Sequence, residues 1–456
     1  MAGAYFFGAA AALVLALHRR RQRRCCPAPP PDIAVTAIHV YPVKSMRGHA
    51  VPAADLDAAG LLHDRRWLVV SAELPQHAGA PARFLTQRST PALATVTPYV
   101  LSQAALPGLP EALQQGGGSA AAAVAAAAAR PGFPVPALRS HGAPAALLLV
   151  CQHAPQLPQG LAPWLLVPLL PAAGAPREAL RSVQVWSSTV AECVDQGAAA
   201  AAWLSAVLGE PARLVHQDPG HAPSLRATAS SYMPLPLALN PAAHAAAAGA
   251  GGSSGGALLS SAAAALLRPL WRLATGGQTP ATSFADGFPL LLASENSLAD
   301  LNDRMAARAA AAGAPPPPAP MGMHQFRPNL VVRYAASAPP WLEDTWADLA
   351  VGQGAAFAGV KRCSRCSVTT TCQASGARAP HAATGAPTED PFDREPLATL
   401  ASFRASARAG AKEGGVYFGM NLVTLGGGGA SGAEWGSVRV GDAVRVRRTD
   451  AAIGPL

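Results

Sequence analysis

Lysine is nearly absent from this chain of 456 residues, in which Lys44, Lys361 and Lys412 are the three lysines among 35 basic residues. Aromatic residues are also scarce, at 5%. The formal net charge is +9, but five arginines fall between residues 19 and 24, and without them it drops to +4. No stripe of basic residues interleaved with aromatics follows. The composition therefore argues against nucleic-acid binding.

The seven cysteines are too few and too unevenly spaced to form the disulfide framework of a small secreted domain. This favours a reducing compartment. Three of them occur in "KRCSRCSVTTTC", residues 361–372. What these sulfurs do is the main question that the sequence raises.

Four uses of these cysteines have to be compared. No second CxxC pair follows Cys363 and Cys366, which weakens a four-ligand zinc site. The β-branched "SVTTTC" predicts a strand rather than the helix that a thioredoxin-type dithiol needs. Simple packing stays open for any one cysteine. Arg362 and Arg365 flank Cys366, and a cationic setting favours a thiolate, which is a soft metal ligand.

Low-complexity segments rich in alanine, glycine and proline interrupt the chain. They span residues 104–146, 241–281 and 306–320, and their composition is typical of surface insertions. The length allows two or three domains.

Between the insertions, short strands outnumber helices. Alternating or β-branched patterns predict strands in "IAVTAIHVYPVKS", "RRWLVVSAE", "LATVTPYVLS", "VQVWSSTVAECVD", "ARLVHQ", "NLVVRY" and "VRVGDAVRV". A helix is predicted over residues 197–209, ending at Gly209, and another one beginning near Ser294 or Glu295. The sequence therefore predicts a β-rich α+β protein.

The N-terminus combines an apolar segment with a basic one. Residues 2–17 carry no charge, and "HRRRQRRCC" follows directly. At ~1.5 Å per residue the apolar part would form a helix of about 24 Å, short for a bilayer but adequate with snorkelling arginines. We expect a membrane anchor with the body on the cytosolic side. An amphipathic or transit-type leader is the alternative.

Several basic side chains are typical of anion binding. Lys44, Ser45 and Arg47 follow the first predicted strand, a position suited to gripping phosphate. Arg65 in "HDRRW" and Arg327 in "FRPN" add further cations. Together with a single thiolate, these residues indicate an anionic cofactor that carries a metal.

Ten motifs in a fixed order resemble the MOSC family, most closely its mitochondrial amidoxime reducing components. They are "YPVKSMRG", "HDRRWLVV", "TQRSTPAL", "FADGFPLLLASENSLADLN", "FRPNLVV", "EDTWADL", "CSRCSVTT", "EPLATLASFR", "FGMNL" and "VRVGDAVRV". The resemblance implies a MOSC-type β-barrel with an N-terminal MOSC-associated β-barrel domain, preceded by an anchor helix. It implies an anchor and spacer in residues 1–32, the N-terminal barrel in 33–180 and the catalytic domain in 181–456.

The resemblance also implies the molybdenum cofactor (Mo-molybdopterin), a pterin that holds molybdenum through a dithiolene and carries a phosphate. It assigns the protein's molybdenum ligand to Cys366. It implies catalytic roles for Cys366 and Asp286, with Asp286 as a candidate proton relay. The implied cofactor-binding residues are Lys44, Ser45, Arg65, Asp286, Gly287, Arg327, Asn329, Ser364, Arg365, Cys366 and Asn421.

The implied activity is reduction of N-hydroxylated compounds, namely amidoximes, hydroxylamines and N-hydroxylated bases. Cytochrome b5 and its NADH-dependent reductase would supply electrons, and the implied location is the mitochondrial outer membrane, facing the cytosol. The family pattern has "SD" where this chain has Ala285-Asp286, and Phe288 stands where smaller residues are common, so substrate preference can differ.

A second interpretation is a carrier or sulfuration-related MOSC protein that binds molybdenum cofactor without reducing N-hydroxy compounds. The chain has no pyridoxal-phosphate desulfurase region, which argues against a full sulfurase. A discriminating feature is the pairing of a predicted anchor with an intact "CSRC", which favours the reductase.

Overall fold

The computed structural model describes residues 32–73, 80–102, 144–151, 157–169, 180–186, 188–217, 281–313, 319–405, 415–425 and 435–450. The strands in these ranges are β1 (Ala34–Val40), β2 (His49–Val51), β3 (Ala53–Asp57), β4 (Gly60–Leu61), β5 (Trp67–Ser71), β6 (Ala82–Arg83), β7 (Val96–Ser102), β8 (Pro144–Cys151), β9 (Trp164–Pro168), β10 (Leu180–Val185), β11 (Ser188–Asp195), β12 (Ala212–His216), β13 (Leu290–Ser294), β14 (Leu330–Arg333), β15 (Trp346–Val351), β16 (Ala355–Arg365), β17 (Val416–Leu425), β18 (Ser437–Arg439) and β19 (Val444–Thr449).

Helices are few by comparison. They are α1 (Ala198–Leu208), α2 (Glu295–Ala311) and α3 (Leu397–Phe403), with short 3₁₀ turns at Pro91–Thr95, Met323–Gln325, Leu342–Thr345, Ser367–Thr370 and Pro391–Asp393. The β-rich α+β prediction is therefore confirmed for the described part of the chain.

The largest sheet has eight strands in the order β19-β15-β16-β17-β13-β14-β1-β2. Most neighbours are antiparallel, but β13 and β14 run parallel, with Leu292 opposite Leu330. Parallel neighbours need a crossover connection, and α2 lies between them in the chain. The first strand of the body, β1, thus sits in the same sheet as β16, which leads to the cysteine motif.

A second sheet of five strands has the order β5-β12-β11-β10-β6, and two three-stranded sheets are formed by β7-β8-β9 and β18-β3-β4. Strand β5 pairs antiparallel with β12, Trp67 lying opposite His216. This sheet joins strands from both sides of the predicted boundary at residue 180, and the domain boundaries stay a prediction.

Local signals place the two longer helices well. The Ser294 hydroxyl caps α2 by accepting hydrogen bonds from the backbone N–H groups of Asn296 and Ser297. Gly209 ends α1 with φ 73, a left-handed conformation that glycine adopts readily. Both predicted positions, the start near Ser294 and the stop at Gly209, are confirmed.

Three predictions about segments are corrected. Residues after Cys366 form the 3₁₀ turn Ser367–Thr370 rather than a strand, because the Thr369 and Thr370 hydroxyls donate to the carbonyls three residues earlier. Helix α2 continues to Ala311, into the segment 306–320 predicted as an insertion, since its alanines are strong helix formers. Strand β8 begins at Pro144, just inside the segment 104–146.

The predicted membrane anchor, in residues 1–32, lies outside the described residues apart from Asp32, as does the insertion 241–281 apart from Ala281. Among the residues that are described, no helix combines the length and apolar character needed to span a membrane.

Candidate functional site

The Cys366 thiol lies where strand β16 ends. The backbone of Cys366 is extended, with φ −134 and ψ 179, and it begins the turn Ser367–Thr370. Thr369 closes this turn, its backbone N–H and its hydroxyl donating to the Cys366 carbonyl at 3.0 and 2.9 Å. The thiol is free and half-buried. A fixed backbone with a partly exposed sulfur suits a side chain that binds a ligand.

Arg88 places a positive charge beside this thiol. Its Nη2 donates to Cys366 Sγ at 3.3 Å, and its guanidinium lies 4.6 Å from the centroid of the Trp186 ring. Trp186 follows β10 in the β10–β11 hairpin, and Phe84 meets its ring edge-on at 5.3 Å. The indole ring therefore holds Arg88 next to the sulfur through a cation–π contact.

Trp186 also touches an ion pair of which Lys44 is the buried member. Its Nε1 donates to Asp286 Oδ1 at 2.9 Å, and Lys44 Nζ donates to the same oxygen at 2.5 Å and to the Phe284 carbonyl at 2.7 Å. The Lys44 side chain is buried, whereas that of Asp286 is 70% exposed. Desolvation works against ionisation of Asp286, but the Lys44 charge and these hydrogen bonds outweigh it and hold its pKa well below the usual range.

Asp286 is therefore a carboxylate at neutral pH. A carboxylate with a lowered pKa accepts a hydrogen bond readily but is a poor proton donor. The proposed relay role of Asp286 stays a prediction, and the ion pair with Lys44 favours an orienting role instead.

Two guanidinium groups lie over the ring of Tyr41. The Cζ atoms of Arg65 and Arg327 lie 5.0 and 4.4 Å from its ring centroid, and its hydroxyl donates to the Pro328 carbonyl at 3.2 Å. Burial lowers the pKa of Arg327 to about 10 and raises the pKa of Tyr41 to about 12, so at neutral pH the arginine is charged and the phenol neutral. Gly48 gives the ring room, because a Cβ there would lie 2.3 Å from Tyr41 Cε1.

Arg65 is oriented by Asp64 and Asn329. Its Nη1 donates to the Asp64 carboxylate and, at 3.1 Å, to Asn329 Oδ1. Burial opposes the charge of Arg65, but Asp64 raises the pKa of Arg65 above its usual value. Asn329 is fully buried, and its amide also accepts from the Leu291 N–H and donates to the His39 carbonyl, each at 3.2 Å. In these contacts Asn329 positions Arg65, and its direct contact with a cofactor stays a prediction.

Two buried glutamines join this region to the segment after the thiol. Gln373 Nε2 donates to Gln87 Oε1 at 2.9 Å, and Gln87 Nε2 donates to Gln373 Oε1 at 3.1 Å. Gln87 Nε2 also donates to the Ser45 carbonyl at 2.6 Å, and Arg47 Nη1 to the Gln373 carbonyl at 3.3 Å. The pair ties the predicted phosphate-gripping residues to the chain beyond Cys366.

Backbone strain is concentrated in the same place. Four of these residues have a left-handed backbone, namely Ser45 (φ 67), Arg65 (φ 51), Trp186 (φ 55) and Arg327 (φ 57). Within the described ranges seven non-glycine residues share this conformation. It is uncommon for residues with a side chain, and it persists where the surroundings impose it, often at functional sites.

Arg365 separates the two cysteines of the CxxC motif. Its Nη1 donates to Cys363 Sγ at 2.9 Å and its Nη2 to the Phe326 carbonyl at 2.8 Å. Its Nε is buried and has no hydrogen-bond partner among the described residues. Cys363 therefore contacts Arg365 and Cys366 contacts Arg88, so the two thiols lie in different surroundings.

The predicted site residues are brought together unequally. Direct hydrogen bonds join Lys44 to Asp286 and Arg65 to Asn329. Ser45 is linked to Arg327 through Gln87 and Gln373, and Cys366 to Asp286 through Arg88 and Trp186. Ser364 is exposed opposite Tyr417, and Asn421 is half-buried in β17 between Leu291 and Lys361. A Cβ at Gly287 would meet nothing within 4 Å, which leaves open space next to Asp286.

One predicted neighbour of the thiol is corrected. Arg362 pairs with Asp344 at 3.3 Å, and the cation on Cys366 is Arg88. Sequence reasoning also missed Tyr41, Gln87, Trp186 and Gln373. "TQRSTPAL" contains Gln87 and Arg88, so the motif itself was the available signal.

No group of three or more histidine, cysteine or acidic side chains in the described ranges is arranged to hold a metal ion. By contrast, the contacts described above bring six basic side chains together with two carboxylates, Asp64 and Asp286. The six basic residues of this cluster around Cys366 are Lys44, Arg47, Arg65, Arg88, Arg327 and Arg365. The arrangement can bind an anionic group beside one thiol.

Comparison with known families finds two matches. The model of the MOSC domain matches residues 279–445, and that of the MOSC N-terminal beta barrel domain matches residues 33–119. The first contains Cys366 and Asp286, and the second contains Lys44 and Arg65.

Curated relatives match at modest identity. The molybdenum cofactor sulfurase of Oryza sativa subsp. japonica is 33% identical over 140 residues, covering 31% of this chain and 14% of that protein. Mitochondrial amidoxime reducing component 2 of Homo sapiens is 32% identical over 179 residues, 38% of this chain and 41% of that protein. Human mitochondrial amidoxime-reducing component 1 is 30% identical over 122 residues, 27% and 28% of the two chains. The matched part thus spans less than half the length of each relative.

Proposed function

This chain belongs to the MOSC-domain family, and on that premise we propose that it is a molybdenum-cofactor-dependent reductase of N-hydroxylated compounds. The observation that carries the proposal is the half-buried Cys366 thiol at the edge of a group of cations. The relatives named for amidoxime reduction support the reaction class.

The residues present fit the cofactor. A thiolate is a soft ligand suited to a transition metal, and Cys366 offers one free, partly exposed sulfur. Guanidinium groups bind phosphate through several N–H donors, and the buried Arg365 Nε has no partner among the described residues. Open space beside Gly287 adjoins Asp286. We therefore assign the metal to Cys366 and the phosphate to the group of Lys44, Ser45, Arg65, Arg327 and Arg365.

Once bound, the cofactor supplies the two-electron chemistry that breaks the N–O bond. The chain's own residues hold it and order the surroundings. Arg88 donates to the sulfur at 3.3 Å, and Lys44 holds the Asp286 carboxylate at the exposed side of the site. Because its pKa is low, Asp286 offers a hydrogen-bond acceptor to an N–OH or N–H group throughout the neutral range.

Electrons have to come from another protein in this proposal. No glycine-rich dinucleotide fingerprint follows a strand in the sequence, so no residues are assigned to taking electrons from NADH directly. We propose cytochrome b5 with its NADH-dependent reductase as donors. The names of the human relatives support a mitochondrial location, and we propose the outer membrane, with residues 1–32 as the anchor.

The test is turnover of an amidoxime by the full chain, prepared in cells that synthesise the cofactor. With NADH, cytochrome b5 and its reductase, we expect one amidine formed per NADH oxidised. Omitting cytochrome b5 is the control and is expected to abolish turnover. Turnover with NADH alone would contradict the proposed donors.

The matches to molybdenum cofactor sulfurases support one alternative, a cofactor carrier or sulfuration-related protein. Such a protein would hold molybdenum and transfer it to a cofactor-free acceptor enzyme. Stoichiometric molybdenum without amidoxime reduction would favour that function over the reductase.

A further inference from the structure

The Trp186 side chain is exposed to solvent, whereas a tryptophan that only packs in the core would be buried. It is 41% exposed, and in the described ranges only Phe392 and Val440 are comparably exposed large apolar residues. Its neighbours are the exposed Arg88, 4.6 Å from its ring, and the exposed carboxylate of Asp286, which accepts from its indole at 2.9 Å. An aromatic ring, a cation and an anion thus reach solvent beside the half-buried thiol.

The backbone of Trp186 adopts a left-handed conformation that is uncommon for a tryptophan. Trp186 directly follows β10, where Val185 pairs with Ser188 across the hairpin, and its φ is 55. Hairpin turns favour asparagine, aspartate or glycine at positions with positive φ. The Gln184 side chain supports the conformation by donating to the Trp186 carbonyl at 2.6 Å, while Thr189 donates to Gln184 at 3.0 Å. Turn formation alone does not account for a tryptophan here.

We propose that Trp186 is a specificity-determining residue that forms an aromatic wall at the opening of the site. The wall selects substrates in which the N–O group is conjugated to a planar ring, because these can pack against the indole and the guanidinium stacked on it. This inference rests on the proposed reductase function and names its preferred substrate class, planar aromatic amidoximes over small aliphatic ones.

Two substitutions distinguish the contribution of the aromatic ring from that of the indole hydrogen bond. Trp186→Phe keeps an aromatic ring but removes the donor to Asp286 Oδ1. Trp186→Gln keeps an N–H donor and removes the ring. Phe392→Leu is the matched control, since Phe392 is likewise an exposed ring, at 44%, in the turn Pro391–Asp393.

The measurement is the Kd of benzamidoxime and of acetamidoxime for each full-length, cofactor-loaded protein, made without any electron donor so that no turnover occurs. Molybdenum content is measured on the same samples. We expect Trp186→Gln to weaken benzamidoxime binding roughly three- to tenfold, the size of an aromatic contact, and to change acetamidoxime less than twofold. Trp186→Phe and Phe392→Leu are expected to keep the wild-type preference.

Other results overturn the inference. Equal weakening of both amidoximes, or loss of molybdenum, in Trp186→Gln would mean that the indole is structural. If Trp186→Phe lost the preference and Trp186→Gln kept it, the hydrogen bond to Asp286 would be the determinant. If the wild type reduces both amidoximes in the assay with cytochrome b5, but every variant keeps the wild-type ratio of the two Kd values, only this inference fails. If the wild type neither binds nor reduces them, the proposed function fails as well.

Discussion

Arg362 and Arg365 are three residues apart on one strand, yet they belong to opposite kinds of charged cluster. Arg362 meets Asp344 at 3.3 Å, and Arg404 meets the same carboxylate at 2.6 Å. Arg365 donates instead to a carbonyl and a thiol, and its buried Nε has no partner among the described residues.

The two clusters differ in what balances their charge. The Asp344 cluster contains its own carboxylates, Asp344 and the fully buried Glu343, within the protein. The cluster around Cys366 has more cations than carboxylates and retains strained backbone at four positions. Removing a carboxylate from a buried cluster that contains its own anions leaves uncompensated cations, whereas a cluster with surplus cations is suited to an anionic ligand. We therefore propose the cluster at Arg365 as the binding site and the cluster at Arg362 as its support.

The largest expected effect comes from removing the shared carboxylate. Asp344→Ala leaves Arg362 and Arg404 buried without their anion, and we expect a loss of about 3–5 kcal/mol in the free energy of unfolding. Denaturant unfolding of the purified chain measures it.

Arg365→Met is the contrasting variant on the same strand. Its stability is expected to stay within about 1 kcal/mol of wild type, because no carboxylate is left unpaired, while molybdenum retention falls several-fold. The comparison would be refuted if Arg365→Met were the less stable of the two variants.

A smaller effect is expected at Gly48. Gly48→Ala would bring a Cβ to 2.3 Å from Tyr41 Cε1, and the ring cannot move aside without displacing Arg65 and Arg327. We expect a destabilisation of about 1–3 kcal/mol, as for other overpacked sites, together with weaker cofactor retention. Thermal unfolding and metal analysis check this. Gly287→Ala, with nothing within 4 Å, is the control and should leave stability unchanged.

The smallest expected effect is a change in stability with pH that comes from Glu343, in the Asp344 cluster. Burial raises the pKa of Glu343 to about 7 from an ordinary value of 4.5. A raised pKa means that its stabilising contribution is fully present below pH 4.5 and is lost as the pH rises through 7. Glu343→Gln, which cannot ionise, should therefore gain stability relative to wild type by roughly 1 kcal/mol between pH 6 and pH 8.

Parallel thermal unfolding of both proteins at these two pH values gives the difference. A stability difference that stays constant with pH, or that shrinks as the pH rises, would mean that Glu343 is already ionised in the folded protein at pH 6.

Much of this arrangement was predictable from local signals. Ser294 and Gly209 marked helix ends by their capping chemistry, and the order of the motifs indicated the family. Lys44, Arg65 and Arg327 followed from the same motifs. The 3₁₀ turn after Cys366 was not predictable, because β-branched threonines favour strands until their hydroxyls bond to nearby carbonyls.

Contacts between residues that are far apart in the sequence were not predictable either. Arg88 and Cys366 are 278 residues apart, and Gln87 and Gln373 are 286 residues apart. Composition and periodicity carry no information on such pairs. The partner of Arg362 was missed for the same reason, since adjacency to Cys366 in sequence said nothing about Asp344.

The most direct test of the whole account is the molybdenum content of the full chain beside its Cys366→Ser and Cys363→Ser variants, all prepared in cells that synthesise the cofactor. We predict near-stoichiometric molybdenum in the wild type and in Cys363→Ser, and a clear loss in Cys366→Ser. Equal molybdenum in all three, or zinc in place of molybdenum, would contradict the assignment of Cys366 as the metal ligand.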